Sequence, residues 1–166
     1  MGERRSGSGR EESEGERLDR NLSELLQELR VAIPGVQVLF AFLLVVPFQQ
    51  GFTKVTPFQE RVYFVALLCT AICAALLISP TAYHRMTFRQ QQKRHLVVVA
   101  NRLALVGLGF LALALTSTIL LITDVVFGAT ETVVVVTTLA FLLYLLFWYL
   151  LPLRRRLSAE REPETQ

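Results

Sequence analysis

Four stretches of the chain are apolar over a length that nothing else in it matches. They read "IPGVQVLFAFLLVVPFQQGF" (33–52), "VYFVALLCTAICAALLISP" (62–80), "NRLALVGLGFLALALTSTILLIT" (101–123, with an apolar lead-in from Leu96) and "TVVVVTTLAFLLYLLFWYLLP" (132–152). A helix that crosses hydrocarbon needs about 20 such residues. Backbone polar groups in hydrocarbon must be satisfied internally, which leaves helices or a closed barrel. Barrel strands alternate inward and outward residues over about ten positions, and none of the four runs alternates. The pattern predicts an all-α integral membrane protein whose four transmembrane helices occupy residues 33–153. The first run does not read as a cleavable signal peptide: it follows some thirty largely polar residues and is too long for an h-region.

The segment ahead of the first run has a different period. In "ERLDRNLSELLQELRVA" (16–32), Leu18, Leu22, Leu25 and Leu29 step by four, three and four, with Leu26 beside them. That spacing predicts an N-terminal cytoplasmic amphipathic helix, supported by the i,i+4 pairs Glu16–Arg20 and Arg20–Glu24. Pro34-Gly35 permits a bend before the first span. Two placements fit the stripe: flat on the inner leaflet, or docked on the 81–100 loop or a second subunit. Glu24 and Glu28 gain nothing from an anionic leaflet, and Arg85, Arg89 and Arg102 offer them partners. The polar tails, 1–15 and 154–166, are expected to be disordered.

Charge then orients the helices. Of the 17 Lys and Arg, Arg4, Arg5, Arg10, Arg17, Arg20 and Arg30 precede the first span. Arg85, Arg89, Lys93 and Arg94 lie between the second and third, and Arg154, Arg155, Arg156 and Arg161 follow the fourth. The two intervening loops hold only Lys54 and Arg61, while Arg102 begins the third span. Cations concentrate on the cytoplasmic side, so both termini and the 81–100 loop are expected there, in a plasma membrane of the bacterial inner-membrane type. A pI near 9.2 would suggest nucleic acid in a soluble protein. Here the cations border apolar runs, so topology explains them and no nucleic-acid partner is expected. The bilayer is the expected partner, with a homodimer or another membrane protein beside it.

Candidate chemistry is sparse. "SPTAYHRMTFRQQQKRH" (79–95) holds both histidines, yet Pro80 to Thr123 contains no acid and no cysteine. A zinc site wants three or four ligands, so His84 and His95 read as interfacial residues. "TFRQ" (87–90) matches a capping box for a helix running into the third span. Cys69 and Cys73 read as small packing residues beside Ala66 and Ala74, and Ala100, Ala104 and Gly107 form a similar seam. The ionisable groups Glu60, Arg61, Arg102 and Asp124 stand at span borders. Gln37, Thr70, Thr116, Ser117, Thr118, Thr137, Thr138 and Tyr144 are the polar groups inside the spans, and hydroxyls there can bond back to the backbone. Trp148 and Tyr149 read as an interfacial aromatic belt. "GLGFLA" (107–112) lacks the strand that a dinucleotide fingerprint needs. No catalytic, cofactor-binding or metal residues are expected, and no enzyme. The candidate interaction face is Glu24, Glu28, Tyr83, His84, Arg85, Arg89 and Arg102. The function expected is that of an accessory or interaction protein acting through its cytoplasmic face. The alternative is a small oligomeric ion or proton transporter, in which Asp124 or Glu60 would carry the proton.

"LDRNLSELLQELRVA..GVQVLFAFLL" followed by "SPTAYHR..FR" resembles a family of small four-helix membrane proteins common in actinobacteria, catalogued as a domain of unknown function. The resemblance covers about residues 17–153. It implies the same four spans and a cytoplasmic motif, and supplies no activity. Some members of such families carry a sodium:proton antiporter label, which corresponds to the alternative above.

Overall fold

In the computed structural model, which describes the backbone of residues 14–87 and 93–154 and the side chains of 16–82 and 97–154, the chain is all helix. α1 spans Glu14–Val45, α2 Pro57–Thr87, α3 Lys93–Phe127 and α4 Thr130–Leu145. Two 3₁₀ turns, Val46–Phe48 and Gln50–Lys54, join α1 to α2, and a π turn at Leu146–Leu150 carries α4 on. All four helices are long and apolar enough to cross a membrane.

The amphipathic segment and the first span are one helix. Leu22, Leu29, Val36 and Leu43 are buried at intervals of seven, so a single seam runs the length of α1. Leu25, Leu26, Ala32, Ile33 and Leu39 flank it, half-buried. Pro34 and Gly35 both fall on the exposed side. Pro34 removes one backbone hydrogen bond, but the buried seam continues past it and so does the helix. The division expected at residue 33 is therefore absent. α1 ends at Val45, short of residue 52, because Pro47 disfavours helical geometry at the residue before it and Gln49 is extended.

At the start of α2 the sequence Thr56-Pro57-Phe58-Gln59 is a complete capping box. Thr56 N–H donates to Gln59 Oε1 at 3.0 Å, and Gln59 N–H donates to Thr56 Oγ1 at 3.3 Å. Proline suits the first helical position, where its missing N–H costs nothing. Thr87 is the last described residue of α2, and the rest of the box expected at 87–90 lies outside the described residues. No glycine or proline after Pro80 stops α2 earlier. α3 hands over to α4 through Gly128, whose φ of +60° suits the residue without a Cβ, and whose N–H donates to Asp124 O at 3.0 Å.

The helices alternate in direction. Leu43 and Tyr63 share a cluster, as do Leu22 and Ala100, Gln59 bonds Asp124 and Tyr149 bonds Leu105. The start of α1, the end of α2, the start of α3 and the end of α4 therefore meet at one end of the bundle. α2 is central: Ala66, Thr70, Cys73 and Leu77 are fully buried. α4 packs mainly on α3 and is the least buried of the four. As expected, cysteine and the seam of Ala100, Ala104 and Gly107 serve close packing. A Cβ on Gly107 would sit 2.8 Å from Leu77 Cδ2 and 3.3 Å from its Cγ. Gly107→Leu should therefore push α2 and α3 apart and destabilise the protein by about 1–3 kcal/mol, read as a lowered unfolding midpoint in detergent; Gly107→Ala should lose less.

Candidate functional site

The end of the bundle where α1 and α3 begin and α2 finishes is assembled by leucines. Leu22 packs on Ala100, with Leu25, Leu26 and Val97 around them. One heptad further, Leu29 joins Val36, Cys73 and Leu77. The small alanine on α3 lets α1 approach closely, and each leucine removed from water is worth roughly 1.5–3 kcal/mol. The N-terminal turns of α1 are thus a wall of the same bundle, docked within the chain on α2 and α3.

Of the arginines expected to meet Glu24 and Glu28, only Arg102 has a described side chain, and it pairs with neither. Glu24 is exposed and pairs with Arg20, Nε to Oε1 at 3.8 Å, along its own helix. Such an exposed pair contributes about 0–1 kcal/mol. Glu28 and Arg102 are exposed, and no ion pair joins either of them among the described residues. Tyr83, His84 and Arg85 stand in the last turns of α2 with side chains outside the described residues, and Arg89 lies outside them altogether. The structure brings Glu24, Glu28 and Arg102 to one end of the bundle, each exposed there. Among the described residues no group of three or more His, Cys, Asp or Glu is placed to hold a metal.

Three interactions escaped the sequence reading. Gln59, whose Oε1 serves the capping box, also donates from Nε2 to Asp124 Oδ2 at 2.8 Å, tying the start of α2 to the end of α3. "TPFQ" was the signal for the first role; nothing local announces the second. Tyr63 donates to Leu43 O at 3.0 Å and stacks edge-on against Phe52 at 5.2 Å, closing the α1–α2 junction. Tyr149 donates to Leu105 O at 2.8 Å, so it makes a helix–helix bond on α3 that its place beside Trp148 did not announce. The π turn rotates it there. Pro152 has no N–H for the carbonyl four residues back and its ring crowds that position, and a widened turn just before it relieves both.

Inside the spans the threonines bond back to their own helices: Thr70 to Ala66 O at 2.7 Å, Thr116 to Ala112 O at 2.7 Å and Thr118 to Ala114 O at 2.8 Å. Thr137 Oγ1 is buried without a hydrogen-bond partner among the described residues.

A family model matches residues 11–152. The chain belongs to DUF6328, a family of unknown function. The matched segment opens before α1 and closes in the last turns of α4, so the unit shared across DUF6328 includes the docked N-terminal turns as well as the four apolar helices. No curated protein and no solved structure matches the chain. The resemblance to an uncharacterised domain family thus holds, and the family brings no activity with it.

Docking of α1 within the chain has a direct check. With Cys69 and Cys73 replaced by Ala, Leu22→Cys and Ala100→Cys should be joined within one chain by a short thiol crosslinker. Joining between chains only would place the contact in an oligomer.

Proposed function

We propose that this protein is an integral plasma-membrane protein with four spans and both termini cytoplasmic. In this reading it acts without catalysis, as an accessory protein that binds another membrane protein or a second copy through its basic end. The observation that carries the reading is the convergence at that end. Fourteen of the 17 Lys and Arg belong to the segments that start α1, link α2 to α3 and follow α4, and α1 is fixed there by Leu22 and Leu29. α1 is 32 residues long, about 48 Å, against a hydrocarbon core of about 30 Å. The excess supports a head that projects beyond the bilayer and presents Glu24, Glu28 and Arg102. Outward apolar side chains such as Phe42, Phe64, Ile122 and Leu139 support lipid around the rest, since water-soluble surfaces rarely expose such patches.

Proton transport is the competing class. It would need Asp124 or Glu60, and Asp124 already accepts a hydrogen bond from Gln59 at the end opposite the cations, which suits a structural tie. In proteoliposomes the accessory reading expects no pH-driven flux, and a flux abolished by Asp124→Asn would favour the transporter. Topology is tested by C-terminal alkaline phosphatase fusions, which should be active after Val55 and Phe127 and inactive after Gln90 and Glu160. The reverse pattern would contradict the orientation. Capture of a partner from native membranes should be lost in Glu24→Lys/Glu28→Lys while the protein still inserts.

A further inference from the structure

We infer that the cleft between α3 and α4 is a binding site for an anionic phospholipid, with one acyl chain in the cleft and the phosphate at Arg102. The inference rests on the membrane reading above. The cleft has a volume of about 390 Å³. Val106, Gly109 and Leu113 line it from α3, and Phe141, Leu145 and Tyr149 from α4. Gly109 lacks a Cβ where Tyr149 Oη comes closest, and that hydroxyl is itself spent on Leu105 O. The wall is therefore almost wholly apolar, with no unused donor that would draw water or a polar solute.

Charge complementarity selects the occupant. Arg102, Val106, Gly109 and Leu113 are spaced by four, three and four, one face of a helix. Arg102 is thus in line with the cleft and about 6 Å beyond Val106 along α3. Helical side chains tilt toward the N-terminus of their helix, which for α3 is the basic end. Arg102 is exposed, so on the membrane reading that tilt takes its guanidinium toward the headgroup level, and a planar fork of donors suits a phosphate. Arg154, the last described residue, closes the fourth apolar helix at the same end. A basic site between helices at that depth favours an anionic over a zwitterionic lipid. A cleft of about 390 Å³ would hold less than one turn of a partner helix about 10–12 Å across, whereas a chain of methylenes fits within it.

The test uses the full chain in vesicles. Trp148, the one tryptophan, is changed to Phe, and Phe141→Trp places the reporter in the cleft wall. Vesicles contain either brominated phosphatidylglycerol or brominated phosphatidylcholine in a non-brominated phosphatidylcholine background. Phosphatidylglycerol should be favoured at the reporter by about fivefold, the gain of one arginine beside an anionic headgroup. Arg102→Gln should abolish the preference and Arg102→Lys keep part of it. Equal quenching by both lipids in a protein that floats with the vesicles would overturn the lipid site and leave the membrane reading standing. Absence of quenching by either lipid would also overturn it, because a second copy would then cover the cleft. Failure to float with vesicles would overturn the membrane reading and the site together. A reporter at Phe64, on α2 away from the cleft, should show no preference; the same preference there would reduce the effect to bulk surface charge and overturn the site.

Discussion

The buried stripe of α1 is the contact on which the rest of the structure depends, and two kinds of physics hold it. At the basic end Leu22 and Leu29 leave water, and the gain scales with the apolar area covered. Further along, Val36 and Leu43 sit where lipid would be the alternative environment. Lipid is as apolar as leucine, so close packing has to supply the preference. The partners there are small: Cys73 and Ala104 in the cluster with Val36, and Ala66 in the cluster with Leu43. One seven-residue repeat thus runs through α1, from its first turns to the apolar bundle, without a hinge. If the stripe did not dock, Glu24 and Glu28 would not be held at the same end of the bundle as Arg102.

The remaining helices are packed at their middles, where Ala66, Thr70, Cys73, Leu77, Ala112 and Ala114 are buried, and tied at their ends by specific bonds. Gln59 couples the capping of α2 to Asp124 on α3, Tyr63 reaches Leu43 O, and Gly128 turns α3 into α4 within two residues. α4 is held more lightly, by its face on α3 and by the Tyr149 hydroxyl. That light attachment leaves the cleft beside Gly109 and makes α4 the helix most available to lipid or to another chain.

Much of this fold was legible in the sequence because length and apolarity alone identify helices that can cross a bilayer. The leucine steps at 18, 22, 25 and 29 also announced a buried face. What misled was Pro34-Gly35, read as a boundary because a proline breaks a helix in isolation. The same stripe continues through Val36 and Leu43, and a proline on the outward face does not interrupt it. The site was legible only in part. Acid and arginine spacing pointed to the end of the bundle where the contact lies; among the described residues that contact is leucine on alanine, and exposed charge pairs would add little to it. Tyr149 was read from its neighbour Trp148, and Pro152 three residues on changes the turn that aims it. Gln59–Asp124 joins residues 65 apart in the chain, a separation at which local pattern carries no information.

The central claim is that α1 is one helix docked along its whole seam. Spin labels placed singly at positions 18–46, with oxygen and a water-soluble nickel complex as collision partners in vesicles, test it most directly. The predicted result is low accessibility to both reagents at 22, 29, 36 and 43, with an unbroken period of seven across Pro34. High oxygen accessibility at 22 and 29, with the minima surviving only beyond Pro34, would contradict it: the first turns would then be lying on lipid, and the basic end would have no fixed head.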